Sequence, residues 1–163
     1  MTMENKLAHQ LLFETNLNWL SDDRGIVYAN GCNGTIHVST PAAFGGSDKE
    51  WSPEHLLLGA VVSCYMATFN GFAKKAKLTI AHLECRAVGE VKIVEGRYKF
   101  TQIDIFPKIF VENDIQSESA NSVAQKTQHY CLISNSLNAV ITYHTEILKN
   151  RHPDTSRHNA VAF

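Results

Sequence analysis

The residues of this 163-residue chain with the most specific chemistry are its four cysteines, Cys32, Cys64, Cys85 and Cys131. Their spacing contains no C-x-x-C pair, and no closely spaced histidine pair stands beside one, which argues against a structural zinc site. The opening stretch, Met1 to Gln10, carries Glu4, Lys6 and His9 without an apolar h-region or a small-residue cleavage site. A secretory signal is therefore not expected, and the thiols are expected to sit in the reducing cytoplasm, where permanent disulfides are rare. Thiols kept there are structural, metal-binding or reactive, and at least two of the four are candidates for redox work.

Cys64 falls in the middle of a strongly apolar stretch, where a buried thiol can simply act as a small hydrophobe. Cys131 follows Gln128-His129-Tyr130 and precedes the capping run Ser134-Asn135, which places its sulfur near the start of a new helix, where amides favour a thiolate. Residue types alone leave burial and redox chemistry both open for this pair. Cys85 lies on the apolar face of a predicted strand and Cys32 beside a predicted hairpin turn; neither is assigned a role. His55, His129 and His144 keep a cysteine hydrolase in view, since that chemistry needs one thiol and one imidazole base.

The elements that must position these groups are legible in outline. Leu11-Leu12-Phe13, Gly25 to Ala29 and Thr35 to Ser39 read as short strands of an antiparallel meander, with Asn33-Gly34 as a hairpin turn. Thr40 to Trp51 is a loop by composition. Ser52-Pro53-Glu54 starts a helix, because serine caps, proline is tolerated in the first turn and glutamate suits the positive end of the dipole. It should run from Ser52 to Lys75, apolar nearly all round and hence central. Leu78 to Glu95 alternates like a half-buried strand and turns at Gly96 into Tyr98 to Val111, a long hairpin. Glu112-Asn113-Asp114 caps a second helix that ends near Tyr130. A helical stretch at Ser134 to Asn138 and a strand over Ala139 to Leu148 complete an α+β order. Residues 1–148 read as one domain and 149–163 as a polar tail.

A formal net charge of −1 supplies no field that would gather nucleic acid or an anionic membrane. The longest apolar run, Leu56 to Val62, falls well short of the ~20 residues a membrane helix needs, so the chain is expected to be soluble.

Two segments carry a family resemblance. Ser52-Pro53-Glu54-His55-Leu56-Leu57-Leu58-Gly59-Ala60-Val61-Val62-Ser63-Cys64 resembles the first cysteine motif of the OsmC/Ohr proteins, the osmotically inducible and organic-hydroperoxide-resistance peroxidases. His129-Tyr130-Cys131-Leu132-Ile133-Ser134-Asn135-Ser136-Leu137 is similar to their second. Val38-Ser39-Thr40-Pro41 with Gly45-Gly46 matches their loop before the helix, so the likeness covers roughly Leu11 to Leu148. One departure is Leu132, where members commonly carry a proline.

The resemblance implies an OsmC/Ohr-like fold, antiparallel sheets wrapped around two central helices in an intertwined homodimer. It implies a thiol peroxidase that needs no cofactor or metal, takes a hydroperoxide and is reset by a dithiol reductant of the lipoyl or thioredoxin type. Its roles would fall on Cys64 as peroxidatic thiol, Cys131 as resolving thiol, and Glu54 and Arg24 as the supporting carboxylate and guanidinium. Without it, Arg24 and Glu54 would read as a turn residue and a helix-dipole residue. The alternatives are a non-catalytic binding protein on the same fold and the cysteine hydrolase. Glu54 and Cys64 are ten positions apart on one predicted helix, roughly 15 Å at 1.5 Å per residue, so a shared site would draw Glu54 from a second subunit. Tyr65, Met66, Phe69 and Phe72 are either core or the lining of a pocket for organic hydroperoxides.

Overall fold

The computed structural model describes residues 11–149; the opening stretch with Glu4, Lys6 and His9, and the polar tail from residue 150, lie outside the described residues. The chain parts into two compact units between Leu56 and Leu57.

The first unit holds a three-stranded antiparallel sheet of β1 (Asn16–Ser21), β2 (Arg24–Tyr28) and β3 (Ile36–Ser39). Leu11–Phe13 is not a strand. The first strand lies further along, where Leu17 pairs with Val27 and Asn18 with Ile26, because pairing to β2 outweighs the weak β-propensity of its asparagines. Asp22 and Asp23 turn the chain into β2, Asp22 with a φ of 47°. The Asp23 carboxylate accepts from the Ser39 hydroxyl at 2.8 Å, and its carbonyl accepts from the Thr40 N–H at 3.1 Å. The loop after β3 carries a 3-10 turn, Ala42–Phe44, and returns to the sheet at Trp51, whose carbonyl accepts from the Ser39 N–H at 2.9 Å.

Helix α1 (Pro53–Lys75) starts in this unit and runs into the second. Its first turn is closed reciprocally: Ser52 Oγ accepts from the His55 N–H at 3.3 Å, and the Ser52 N–H donates to His55 Nδ1 at 3.2 Å, with Pro53 where no N–H is needed. By length and composition α1 is apolar enough to cross a membrane, more than the run Leu56–Val62 suggested. Val61, Tyr65, Phe69 and Ala73, one face at a four-residue spacing, are buried in the core of the second unit.

That unit is built on the hairpin of β4 (His82–Val94) and β5 (Arg97–Val111). The two strands are joined by Glu95-Gly96, both at positive φ (52° and 76°), as a tight two-residue hairpin turn requires. Cys85 and Ala87 on β4 and Ile103, Ile105 and Ile109 on β5 face inward, as the alternation predicts. Helix α2 (Asp114–Tyr130) begins at Asn113, whose side chain accepts from the Gln116 N–H at 3.1 Å, and buries Ala120, Val123 and Ala124 against Phe69, Ile109 and Val111.

Two expectations for the end of the chain are corrected. The short helix α3 occupies Leu132–Asn135 rather than 134–138, beginning directly at Cys131. The strand expected over Ala139–Leu148 is two strands, β6 (Val140–Tyr143) and β7 (Glu146–Lys149), and both run parallel to β5, so this sheet is mixed rather than antiparallel. The parallel direction follows from the helical crossover between β5 and β6. The break follows from Pro107, which lies between the two paired stretches of β5 and has no N–H to give the ladder.

Candidate functional site

Cys64 sits on α1 and is partly exposed; Cys131 is wholly buried at the junction where α2 ends and α3 begins. The structure brings these two thiols together. The two sulfurs lie near enough that each bears on the ionisation of the other, the Ile133 N–H points at the Cys64 sulfur from 3.5 Å, and the Thr68 hydroxyl lies one helical turn further along α1 at 3.9 Å.

The two sulfurs are electrostatically unlike. Burial acts to raise the Cys64 thiol, but the Ile133 N–H, the Cys131 thiol, the Thr68 hydroxyl and the Leu132 N–H outweigh it and hold the group below its ordinary value. Burial raises the Cys131 thiol, and the Cys64 sulfur adds to that rise, against the hydroxyl and N–H of Ser134. A site with one thiol disposed to ionise and a neighbour disposed to stay protonated can do two-step sulfur chemistry.

Arg24 and Glu54 belong to the first unit and line one cleft there, a cavity of about 540 Å³ with Trp19, Ser39 and Phe44 among its walls. The guanidinium is ion-paired not with Glu54 but with Glu50, at 3.5 Å, Arg24 being 51% and Glu50 19% exposed. One carboxylate oxygen of Glu54 is buried without a hydrogen-bond partner. Glu50 is the residue that the sequence reading missed. Its only signal was an acidic side chain just before the helix start, and the pairing spans a loop whose path composition does not fix.

The remaining assignments divide. Tyr65 and Phe69 are wholly buried and stack on each other at 6.3 Å, so they are core and do not line a pocket; Phe72 packs on Tyr130 at 5.4 Å, and Met66 stays exposed. Cys85 faces the core, where burial pushes its thiol up to about 11. Cys32 is exposed. Among the described residues no histidine is hydrogen-bonded to a cysteine sulfur: His55 is tied to Ser52, His129 packs edge-on against Tyr130, and His144 bonds Asp104 at 2.8 Å. Nor do three or more His, Cys, Asp or Glu side chains gather there as a metal site would require.

Comparison with known proteins agrees with this picture. The sequence pattern of the family described as OsmC-like protein matches residues 46–146. An uncharacterised Bacillus subtilis protein, YmaD, is 22% identical over 128 residues, covering 77% of this chain and 85% of its own. Among solved structures, an OsmC-like protein of unknown function from Vibrio cholerae superposes with a TM-score of 0.73 at 15% identity, over 84% of this chain and 100% of that one. An organic hydroperoxide resistance protein from Elizabethkingia anophelis gives 0.69 at 18% identity, over 88% and 100%.

Proposed function

Because the chain belongs to the OsmC-like family, we propose that it is a thiol-dependent peroxidase that reduces hydroperoxides, organic ones in preference, through a Cys64 sulfenic acid and a Cys64–Cys131 disulfide. The observation that carries this reading is that the short helix opened by Cys131 points its Ile133 N–H at the Cys64 sulfur, so that two thiols with opposite shifts in proton affinity are neighbours. The Cys64 thiolate attacks the outer oxygen of the hydroperoxide, the O–O bond breaks, and the alkoxide leaves and takes up a proton as an alcohol. The nucleophile has to be the anion, and a free thiol near pKa ~8.5 supplies only a few per cent of it at neutral pH. The amides and hydroxyl around Cys64 raise that fraction.

The sulfenic acid would climb to irreversible states unless a second thiol met it. Cys131 attacks the Cys64 sulfur, the S–O bond breaks, and hydroxide leaves with the Cys131 proton as water. A dithiol reductant of the lipoyl or thioredoxin type then restores both thiols by exchange. No cofactor enters the cycle, and a reducing cytoplasm would supply the dithiol.

Arg24 is assigned to the thiolate and the departing oxygen, a task suited to a side chain that never loses its charge. Glu54, with its unpartnered oxygen, is assigned to hold that guanidinium once it leaves Glu50. Since α1 is unbroken from Pro53 to Lys75, Glu54 and Cys64 of one chain stay roughly 15 Å apart along it. The site is therefore assembled across a homodimer, which would also cover the exposed flank of α1.

Titrating free thiols before and after one equivalent of an organic hydroperoxide tests the reading. The peroxidase loses two thiols per chain. A binding protein keeps its thiols and a cysteine hydrolase loses at most its one nucleophile, and any result short of two thiols per chain would remove the proposal.

A further inference from the structure

The second step of the proposed cycle depends on a thiol that is wholly buried, and the sequence singled out no residue to serve it. In the structure the Ser134 hydroxyl donates to Cys131 Sγ at 3.3 Å, and the Tyr143 hydroxyl donates to Ser134 Oγ at 2.9 Å. The three groups come from separate elements. Cys131 opens α3, Ser134 lies one turn later on it, and Tyr143 ends β6, held opposite Ile105 on β5 with its ring 5.9 Å from that of Tyr65.

The direction of the chain of hydroxyls has chemical content. Helical serines and threonines commonly turn their hydroxyls back to a carbonyl one turn earlier, as Thr127 does to Val123 and Ser136 to Leu132, both at 2.8 Å. Ser134 gives its proton to sulfur instead and receives one from tyrosine. Burial pushes the Tyr143 hydroxyl up to about 12, with Ser134 acting the other way, so it stays a donor throughout the neutral range. A donor polarised by a second donor stabilises negative charge on its acceptor better than either alone.

We infer that Ser134 and Tyr143 form a two-hydroxyl relay that positions Cys131 and stabilises its thiolate. Its part in turnover rests on the peroxidase reading above. In disulfide formation the relay favours the anion that attacks the Cys64 sulfur, the S–H proton leaving with hydroxide as water. In reduction the exposed partner is Cys64, so the incoming thiolate bonds to that sulfur, the S–S bond breaks, and Cys131 departs as the thiolate that the relay holds. Ser134 and Tyr143 are positioning residues; neither exchanges bonds with substrate.

The test separates the relay from the activity. In the full chain carrying Cys64→Ser, which removes the neighbouring sulfur, the titration of Cys131 is followed by NMR of cysteine labelled with carbon-13 at Cβ. Ser134→Ala is expected to raise the midpoint by about one pH unit, the worth of one hydrogen bond to a charged group. Tyr143→Phe, which keeps the ring and its packing, should raise it by a smaller part of that, and Ser134→Thr should restore it. In the Cys64 chain, single-turnover kinetics with an organic hydroperoxide should show disulfide formation slowed about tenfold relative to Cys64 oxidation in Ser134→Ala. Midpoints unchanged in both Ser134→Ala and Tyr143→Phe overturn the relay, whether or not peroxide is consumed. Shifted midpoints in a chain that ignores peroxide sustain the relay and remove the peroxidase reading.

Discussion

Replacing Leu132 by proline isolates one of the groups that draw the Cys64 thiol below its ordinary value. The Leu132 N–H is the least of the four groups that act to lower the Cys64 thiol, and proline deletes it while leaving in place the Ile133 N–H, which points at the sulfur from 3.5 Å. The backbone should accept the change. Cys131 has φ −65° and ψ 108°, the extended conformation that a residue before proline prefers, and Leu132 is the first residue of α3, where proline is well tolerated. The lost side chain is 66% exposed and contributes little packing. A hydrogen bond to a charged group contributes about 1.5 kcal/mol; halved for the partial exposure of Cys64, that leaves about 0.7 kcal/mol, or about half a pH unit. The Cys64 midpoint should rise by about that much, and the thiolate fraction at neutral pH should fall about threefold. The assay is the pH dependence of Cys64 alkylation, read by mass spectrometry of its peptide, beside a urea melt to show that stability is kept. A midpoint that stays put or falls would refute the claim that these amides set the reactivity of Cys64.

Arg24→Ala should cost about 1 kcal/mol of stability, because the guanidinium is half exposed although its partner Glu50 is mostly covered; peroxide-driven oxidation of Cys64 should slow at least about tenfold in stopped-flow measurements, and a rate within twofold of the native one would take Arg24 out of the site. Phe69→Ala removes a wholly buried ring from the core shared by α1, α2 and β5; it should cost about 3–5 kcal/mol in urea unfolding, and a loss under about 1 kcal/mol would contradict that packing. With Cys131→Ser, one equivalent of hydroperoxide should consume one thiol per chain and excess, without added thiol, should carry Cys64 to the sulfinic state in intact-mass spectra; a variant no more prone to that over-oxidation than the native chain would show that Cys131 does not resolve. The pH profile of Cys64 oxidation should rise with its midpoint below the ~8.5 of an ordinary thiol, since the reactive anion gains as pH climbs through a lowered value.

What the sequence disclosed were features set by a few adjacent residues. Ser52-Pro53 fixes the start of α1, Asn113 that of α2, and Glu95-Gly96 the turn of the long hairpin, each through bonds or torsions local to the chain. The strand alternation that turns Ile103 and Ile105 inward is equally local. The misreadings came from partners distant in sequence. The placement of β1 depends on its register with β2, the division between β6 and β7 on a proline in the neighbouring strand, and the partner of Arg24 on how a loop returns to the sheet. Cys64 and Cys131 were visible as types within motifs. The hydroxyls serving Cys131 were not, because Tyr143 meets Ser134 only once β6 has docked on β5.

The central claim is that Cys64 and Cys131 join when peroxide arrives, and peptide mapping by mass spectrometry without reductant addresses it directly. After one equivalent of organic hydroperoxide, the peptides containing Cys64 and Cys131 should be recovered linked, with Cys32 and Cys85 still free thiols. Recovery of both peptides unlinked, or a link from Cys64 to a cysteine other than Cys131, would contradict the account.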